Sequence, residues 1–291
     1  MKQLKFLMLA LVVALASCGT TRTVPLTGRK QNLMVSDEQV LSLSNQEYTK
    51  YMASAKKSTD AKNTEMVQRV GKRLAAAVES YLSQNGMSSE LSQYQWEFNL
   101  VQDKNVNAFC MPGGKIVVYE GLLPVTQNET ALAIVLGHEI AHAVAKHSAE
   151  QMSKQVKQQY GTQAIGVLGS LAGIDSGVTS IAQTVAQSGF SFANLKYSRN
   201  HENEADHMGI IFAAMAGYDP QEAITFWQRM AQATGSSGSD LFSDHPSDAK
   251  RVENIKGWMP EALKYYKPAS TTSTAAKTTT STAKRTTTKK K

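Results

Sequence analysis

Cysteine is nearly absent from this chain: Cys18 and Cys110 are its only two in 291 residues. That excludes a cysteine-rich metal knot. Long apolar runs are missing as well. The stretches from Phe6 to Ala16 and from Ala164 to Ile174 are each about eleven residues, too short to cross a bilayer. There is no internal repeat and no glycine-rich phosphate loop. The formal charge of +7 is unevenly spread, because Lys2, Lys5, Lys277, Lys284, Arg285, Lys289, Lys290 and Lys291 lie in two end segments that contain no acid. Setting those eight aside leaves 23 basic residues against 24 acidic ones. The body is close to neutral, which argues against nucleic acid as a partner. The length allows one large domain or two small ones.

What is present at the N-terminus is a targeting pattern: Lys2 and Lys5 ahead of a short apolar run. The run ends in Leu15-Ala16-Ser17-Cys18, which resembles the lipobox of bacterial lipoproteins. That resemblance implies a signal peptide over residues 1–17, cleavage before Cys18, and acylation of its sulfur and amine with palmitate-type chains. Such a lipidated Cys18 anchors the chain to a membrane. Gly19 stands where Asp commonly marks inner-membrane retention, which favours the outer membrane of a diderm bacterium, facing the periplasm. With Cys18 acylated, Cys110 is a lone thiol and reads as a packing residue.

Residues 18–35 are polar, punctuated by Pro25 and Gly28, and read as a tether into a folded body over 36–267. Ser36 opens a helix to about Ala55, and Asn63 or Thr64 caps a second that ends at Gly86. From Tyr94 the apolar period changes to two. Gln95–Val101, Asn107–Met111 and Lys115–Tyr119 form a small antiparallel sheet, with Pro112-Gly113-Gly114 as the turn. Residues 153–197 are broken by Gly161, Gly166, Gly169, Gly173 and Gly177 and read either as helices packed beside the site or as a lid or membrane-touching hairpin. Ser198 or Asn200 caps a helix to about Ala216, and two further helices follow. Residues 268–291 are Thr, Ser, Ala and Lys, a tail with nothing to bury and hence disordered.

The chemistry concentrates in His138-Glu139-Ile140-Ala141-His142. Two histidines four apart on a helix lie about 40° apart around its axis and can reach one metal ion, with Glu139 beside them to hold a proton. Thr126 and Glu129 have the spacing of a capping box, and no proline interrupts the run from Thr126 to about Met152. His147, five residues past His142, would stand about 140° round that helix, out of easy reach of the site. Downstream, Glu202 and Asp206 share a helix face, whereas Glu204 points about 200° away from Glu202.

Taken in order, Asn107-Ala-Phe-x-x-Pro-Gly-Gly114, HExxH, Ser198-Arg199, Glu202-x-Glu-Ala-Asp206 and His245-Pro246 resemble the zinc metallopeptidase family of the CAAX prenyl protease and HtpX. The likeness is strongest to exported bacterial lipoprotein members and the mitochondrial inner-membrane quality-control protease. The resemblance implies an α+β, mainly helical gluzincin-type domain with one Zn²⁺ held by His138, His142 and Glu202. Glu139 is then the general base, and Asp206 orients a ligand imidazole. It further implies that His245 lies near the metal, as a removable fourth ligand or a transition-state donor. Arg251 either reaches the cleft or lies on the surface. Asn107, Ala108, Phe109 and Cys110 would hold an extended substrate. The function implied is a zinc endopeptidase acting on unfolded or misassembled envelope proteins. The alternatives are a non-proteolytic, chaperone-like or scaffolding zinc protein and a hydrolase of lipid or cell-wall peptide.

Overall fold

The computed structural model describes residues 20–161, 190–193, 195–237 and 249–268. It opens with a hairpin rather than a tether. Strands β1 (Thr20–Thr23) and β2 (Lys30–Leu33) pair antiparallel, Thr20 with Leu33 and Thr23 with Lys30. Pro25 and Gly28, which suggested loose chain, build the turn: Leu26 and Gly28 both take positive φ, and Gly28 N–H bonds the Val24 carbonyl. Val24, Leu33 and Val35 are buried, and that apolar burial holds the hairpin against the domain.

Helix α1 (Asp37–Ser54) starts at a reciprocal capping box between Ser36 and Gln39. Helix α2 (Ala61–Gln84) starts at Asp60, whose side chain accepts from Asn63 N–H, a turn ahead of the caps expected at 63 or 64. Its stripe Val67, Val70, Leu74, Val78 and Leu82 is fully buried at helical spacing. Strands β3 (Glu97–Val101), β4 (Ala108–Met111) and β5 (Lys115–Tyr119) form a sheet in the order β3-β5-β4. It is mixed rather than antiparallel throughout. The Pro112–Gly114 turn folds β5 back against β4, so β5 lies in the middle and runs parallel to β3. Gly113 and Gly114 supply the positive φ values of that turn.

A short helix, α3 (Leu123–Thr126), precedes the central helix α4 (Glu129–Val144). Thr126 belongs to α3, and the cap of α4 is Asn128, whose side chain accepts from Ala131 N–H. Every residue of α4 from Ala131 to Val144 is buried, between α2, the sheet and the helices that follow. The helix does not run on to Met152. Lys146 takes φ +54°, and a new helix, α5 (His147–Gly161), begins after it. Three tertiary contacts make the break affordable: Arg22 and Gln31 donate to the freed carbonyls of Val144 and Ala145, and Lys146 Nζ pairs with Asp37 at 2.6 Å. Helices α6 (Arg199–Met215), α7 (Glu222–Ser237) and α8 (Ala249–Tyr265) complete an α+β, mainly helical body. Ser198 caps α6, as its position suggested. No described helix is long and apolar enough to cross a membrane. Cys18, His245, most of the glycine-broken stretch and the tail lie outside the described residues.

Candidate active site

Helix α6 lies against α4 along its whole inner face, and two glycines set the distance. A Cβ on Gly137 would stand 2.6 Å from the Gly209 carbonyl oxygen, and one on Gly209 would stand 2.7 Å from the His138 nitrogen. The backbones therefore touch directly, and side chains from the two helices meet in a buried space beside the contact. His138 and His142 face it from α4, Glu202 from α6. The two Nε2 atoms are 3.1 Å apart, Glu202 Oε2 is 3.4 Å from His138 Nε2, and Glu202 Oε1 is 3.5 Å from His142 Nε2. A tetrahedral zinc with bonds of about 2.0–2.1 Å sets its ligand atoms about 3.3 Å apart, so the donor set fits such an ion.

Each imidazole is held from behind. His138 Nδ1 lies 2.8 Å from Asp206 Oδ1, and Asp206 is gripped in turn by Arg251, with Nε 2.6 Å from Oδ2 and Nη2 2.7 Å from Oδ1. The guanidinium carbon lies over Trp227, 3.3 Å from the ring centroid. Burial disfavours the charged form of His138, but its bonds to Asp206 and Glu202 outweigh that and hold its pKa at about 9. His142 stacks on Tyr197 at 4.1 Å, and its Nδ1 lies 2.9 Å from His147 Nδ1. His147 Nε2 reaches Glu204 Oε2 at 2.9 Å. Glu139 is buried toward β4, close enough for its charge to act on Cys110 and Tyr197.

The model of peptidase family M48 matches residues 61–259, more than half of the chain. This chain belongs to peptidase family M48. Among curated relatives, it is 37% identical over 199 residues to the mitochondrial metalloendopeptidase OMA1 of Schizosaccharomyces pombe, covering 67% of this chain and 53% of that protein. It is 30% identical over 246 residues to metalloendopeptidase OMA1 of Homo sapiens, covering 82% and 46%. It is 27% identical over 250 residues to the beta-barrel assembly-enhancing protease of Escherichia coli, covering 84% and 48%. The chain spans about half the length of the curated relatives it matches.

In this M48 member the structure brings His138, Glu139, His142, Glu202, Asp206 and Arg251 into one buried cluster. Arg251 is only 3% exposed, so it is neither a surface group nor an open substrate contact; its fork is committed to Asp206. β4 is an edge strand: no described strand pairs beyond it. Tyr119 N–H bonds the Asn107 carbonyl, which sets the phase of the ladder and turns the main-chain groups of Ala108 and Cys110 outward. The Asn107 side chain accepts from Ala108 N–H at 2.9 Å. Phe109 packs the other way, edge-on to Tyr51 and Tyr119. Burial pushes the Cys110 thiol well above its usual range, so it stays protonated and acts as packing. His207 stacks on Trp258 and pairs with Glu261, away from the cluster.

His147 is the residue that sequence reasoning placed wrongly. The 140° offset assumed an unbroken helix; the turn at Ala145–Lys146 swings the ring back onto His142. Tyr197, just ahead of Ser198-Arg199, was missed, and only its neighbourhood to that motif could have flagged it.

Proposed function

We propose that this chain is a zinc-dependent endopeptidase that cuts unfolded or misassembled cell-envelope proteins, held at the membrane through an acylated Cys18. One observation carries the catalytic reading: three donor atoms at tetrahedral spacing, with the Glu139 carboxylate buried on the same turn. A zinc ion bound there would polarise the scissile carbonyl and lower the pKa of water towards about 7. Glu139 moves the proton. As the water oxygen joins the carbonyl carbon, a Glu139 carboxylate oxygen takes the proton; it passes to the amide nitrogen as the carbon–nitrogen bond breaks.

The place of β4 at the edge of the described sheet supports an extended substrate lying along Ala108 and Cys110. A folded strand is already paired elsewhere, so unfolded segments are preferred. The lipobox-like run ending at Cys18 supports anchoring at the outer membrane of a diderm bacterium, on the periplasmic side. One relative is by name a beta-barrel assembly-enhancing protease, which favours an envelope role for this chain as well. In this reading His245, by its place in the motif order, is a removable fourth ligand or an oxyanion donor.

The test is cleavage of unfolded envelope proteins by purified Glu139→Gln. Turnover should fall by about 10²–10⁴-fold while zinc content stays at one per chain. Wild-type-like cleavage by that variant would sink the mechanism.

A further inference from the structure

The His142 side of the site has a support that neither the motif nor the metal requires by itself. We propose that His147 is a positioning residue that fixes the tautomer of His142, and that Glu204 and the β1–β2 turn lock it in that role. This rests on the reading that His138, His142 and Glu202 bind a metal.

The argument is a count of protons. His142 Nδ1 and His147 Nδ1 lie 2.9 Å apart, and both rings are buried. Two ring nitrogens at that distance share one hydrogen. Glu204 decides which of them carries it. Its carboxylate only accepts, so His147 Nε2, 2.9 Å from Glu204 Oε2, must donate. A neutral imidazole has one N–H, so His147 Nδ1 is a bare lone pair, and His142 Nδ1–H donates to it. That leaves His142 Nε2 without a hydrogen, turned to Glu202 and to His138 Nε2. On the other side Asp206 lies against His138 Nδ1 and orients that ring. The site thus has two orienting arms, one ending in a carboxylate and one passing through a second imidazole to a carboxylate.

The second arm is anchored outside the helices. Glu204 also accepts from Thr27 Oγ1 and from Arg29 Nε at 2.8 Å, and both residues belong to the β1–β2 turn and its exit. Arg29 Nη2 bonds Glu150 on α5 at 2.8 Å, and Gln31 donates to the same carboxylate. The hairpin therefore holds Glu204 and the start of α5, where His147 sits. It is part of the support of the site, and the N-terminal segment leads directly into it.

The experiment measures zinc affinity of the full chain by competition with a chromogenic chelator, and the visible spectrum of the cobalt(II)-loaded protein. His147→Leu should weaken zinc by about 10–100-fold and change the cobalt bands. His147→Gln should stay within about threefold of wild type, since its amide oxygen can accept from His142 and its nitrogen can donate to Glu204. Equal affinity of His147→Leu and wild type overturns the proposal, as does a His147→Gln protein as weak as His147→Leu. If His147→Leu does not fold by circular dichroism, the double variant Thr27→Val with Arg29→Met decides. It keeps all three histidines and should bind zinc more weakly; unchanged affinity there overturns the proposal. A wild type that binds no zinc removes the metal reading itself, whereas tight wild-type binding with an unaffected variant removes only this arm.

Discussion

Asp206 shows how few atoms hold the site together. One oxygen faces His138 Nδ1 and Arg251 Nη2, the other faces Arg251 Nε, and the carboxylate has almost no solvent. Removing one partner of such a buried pair strands a charge. Arg251→Met should therefore cost about 3–5 kcal/mol, read as a lower urea midpoint of the zinc-free protein. The titrating groups give a second prediction. Without metal, the His138 pKa is raised from 6.5 to about 9, so its contribution to stability is full below about 6.5 and is lost as pH rises through 9. On the acid side, burial lowers the His147 pKa to about 4 despite its bond to Glu204. Its contribution is present above 6.5 and lost as pH falls through 4. Burial opposes the shift of Glu204, but His147, Arg29 and Thr27 draw its pKa down to about 2, so its share is lost as pH falls from 4.5 through 2. The zinc-free protein should accordingly melt highest near pH 6.5 and lower at both pH 4 and pH 9.5. A melting temperature that climbs steadily towards pH 9.5 would contradict the His138 assignment.

At the scale of elements, the contact between α4 and α6 is decided by Gly137 and Gly209. Gly209→Ala pushes a methyl to within 2.7 Å of the His138 nitrogen, so one helix must move. A loss of about 1–3 kcal/mol is expected from such overpacking, with weaker zinc binding because Glu202 recedes from the two imidazoles. Retained affinity and stability would show that the crossing has slack. Most helices were legible in the residues. Ser36 and Ser198 cap where they should, and the Val67–Leu82 stripe has a 3.6 period. The end of α4 was not legible, because Ala145 and Lys146 carry no breaker signal; Arg22, Gln31 and Asp37, distant in sequence, make the break. The sheet followed the same rule. Alternation marked three strands, but nothing local said that β5 would lie between β4 and a parallel β3.

The whole molecule treats its N-terminal hairpin as domain, not leash. Deleting residues 20–33 removes Arg22 and Gln31 from the end of α4 and Thr27 and Arg29 from Glu204. The truncated chain should melt several degrees lower and hold less zinc, measured by scanning calorimetry and metal analysis, rather than behave as an unanchored wild type. What the sequence determined alone was which side chains stand together: four-residue spacing on a helix puts His138 with His142, and Glu202 with Asp206, on one face. The tertiary structure alone decided how the histidines are oriented. His147 reaches His142 only because the helix breaks, and Glu204 takes a fixed place only because a hairpin about 175 residues earlier in the chain folds onto it. Hydrogen-bond direction depends on which atoms meet, and that is settled by packing between distant segments.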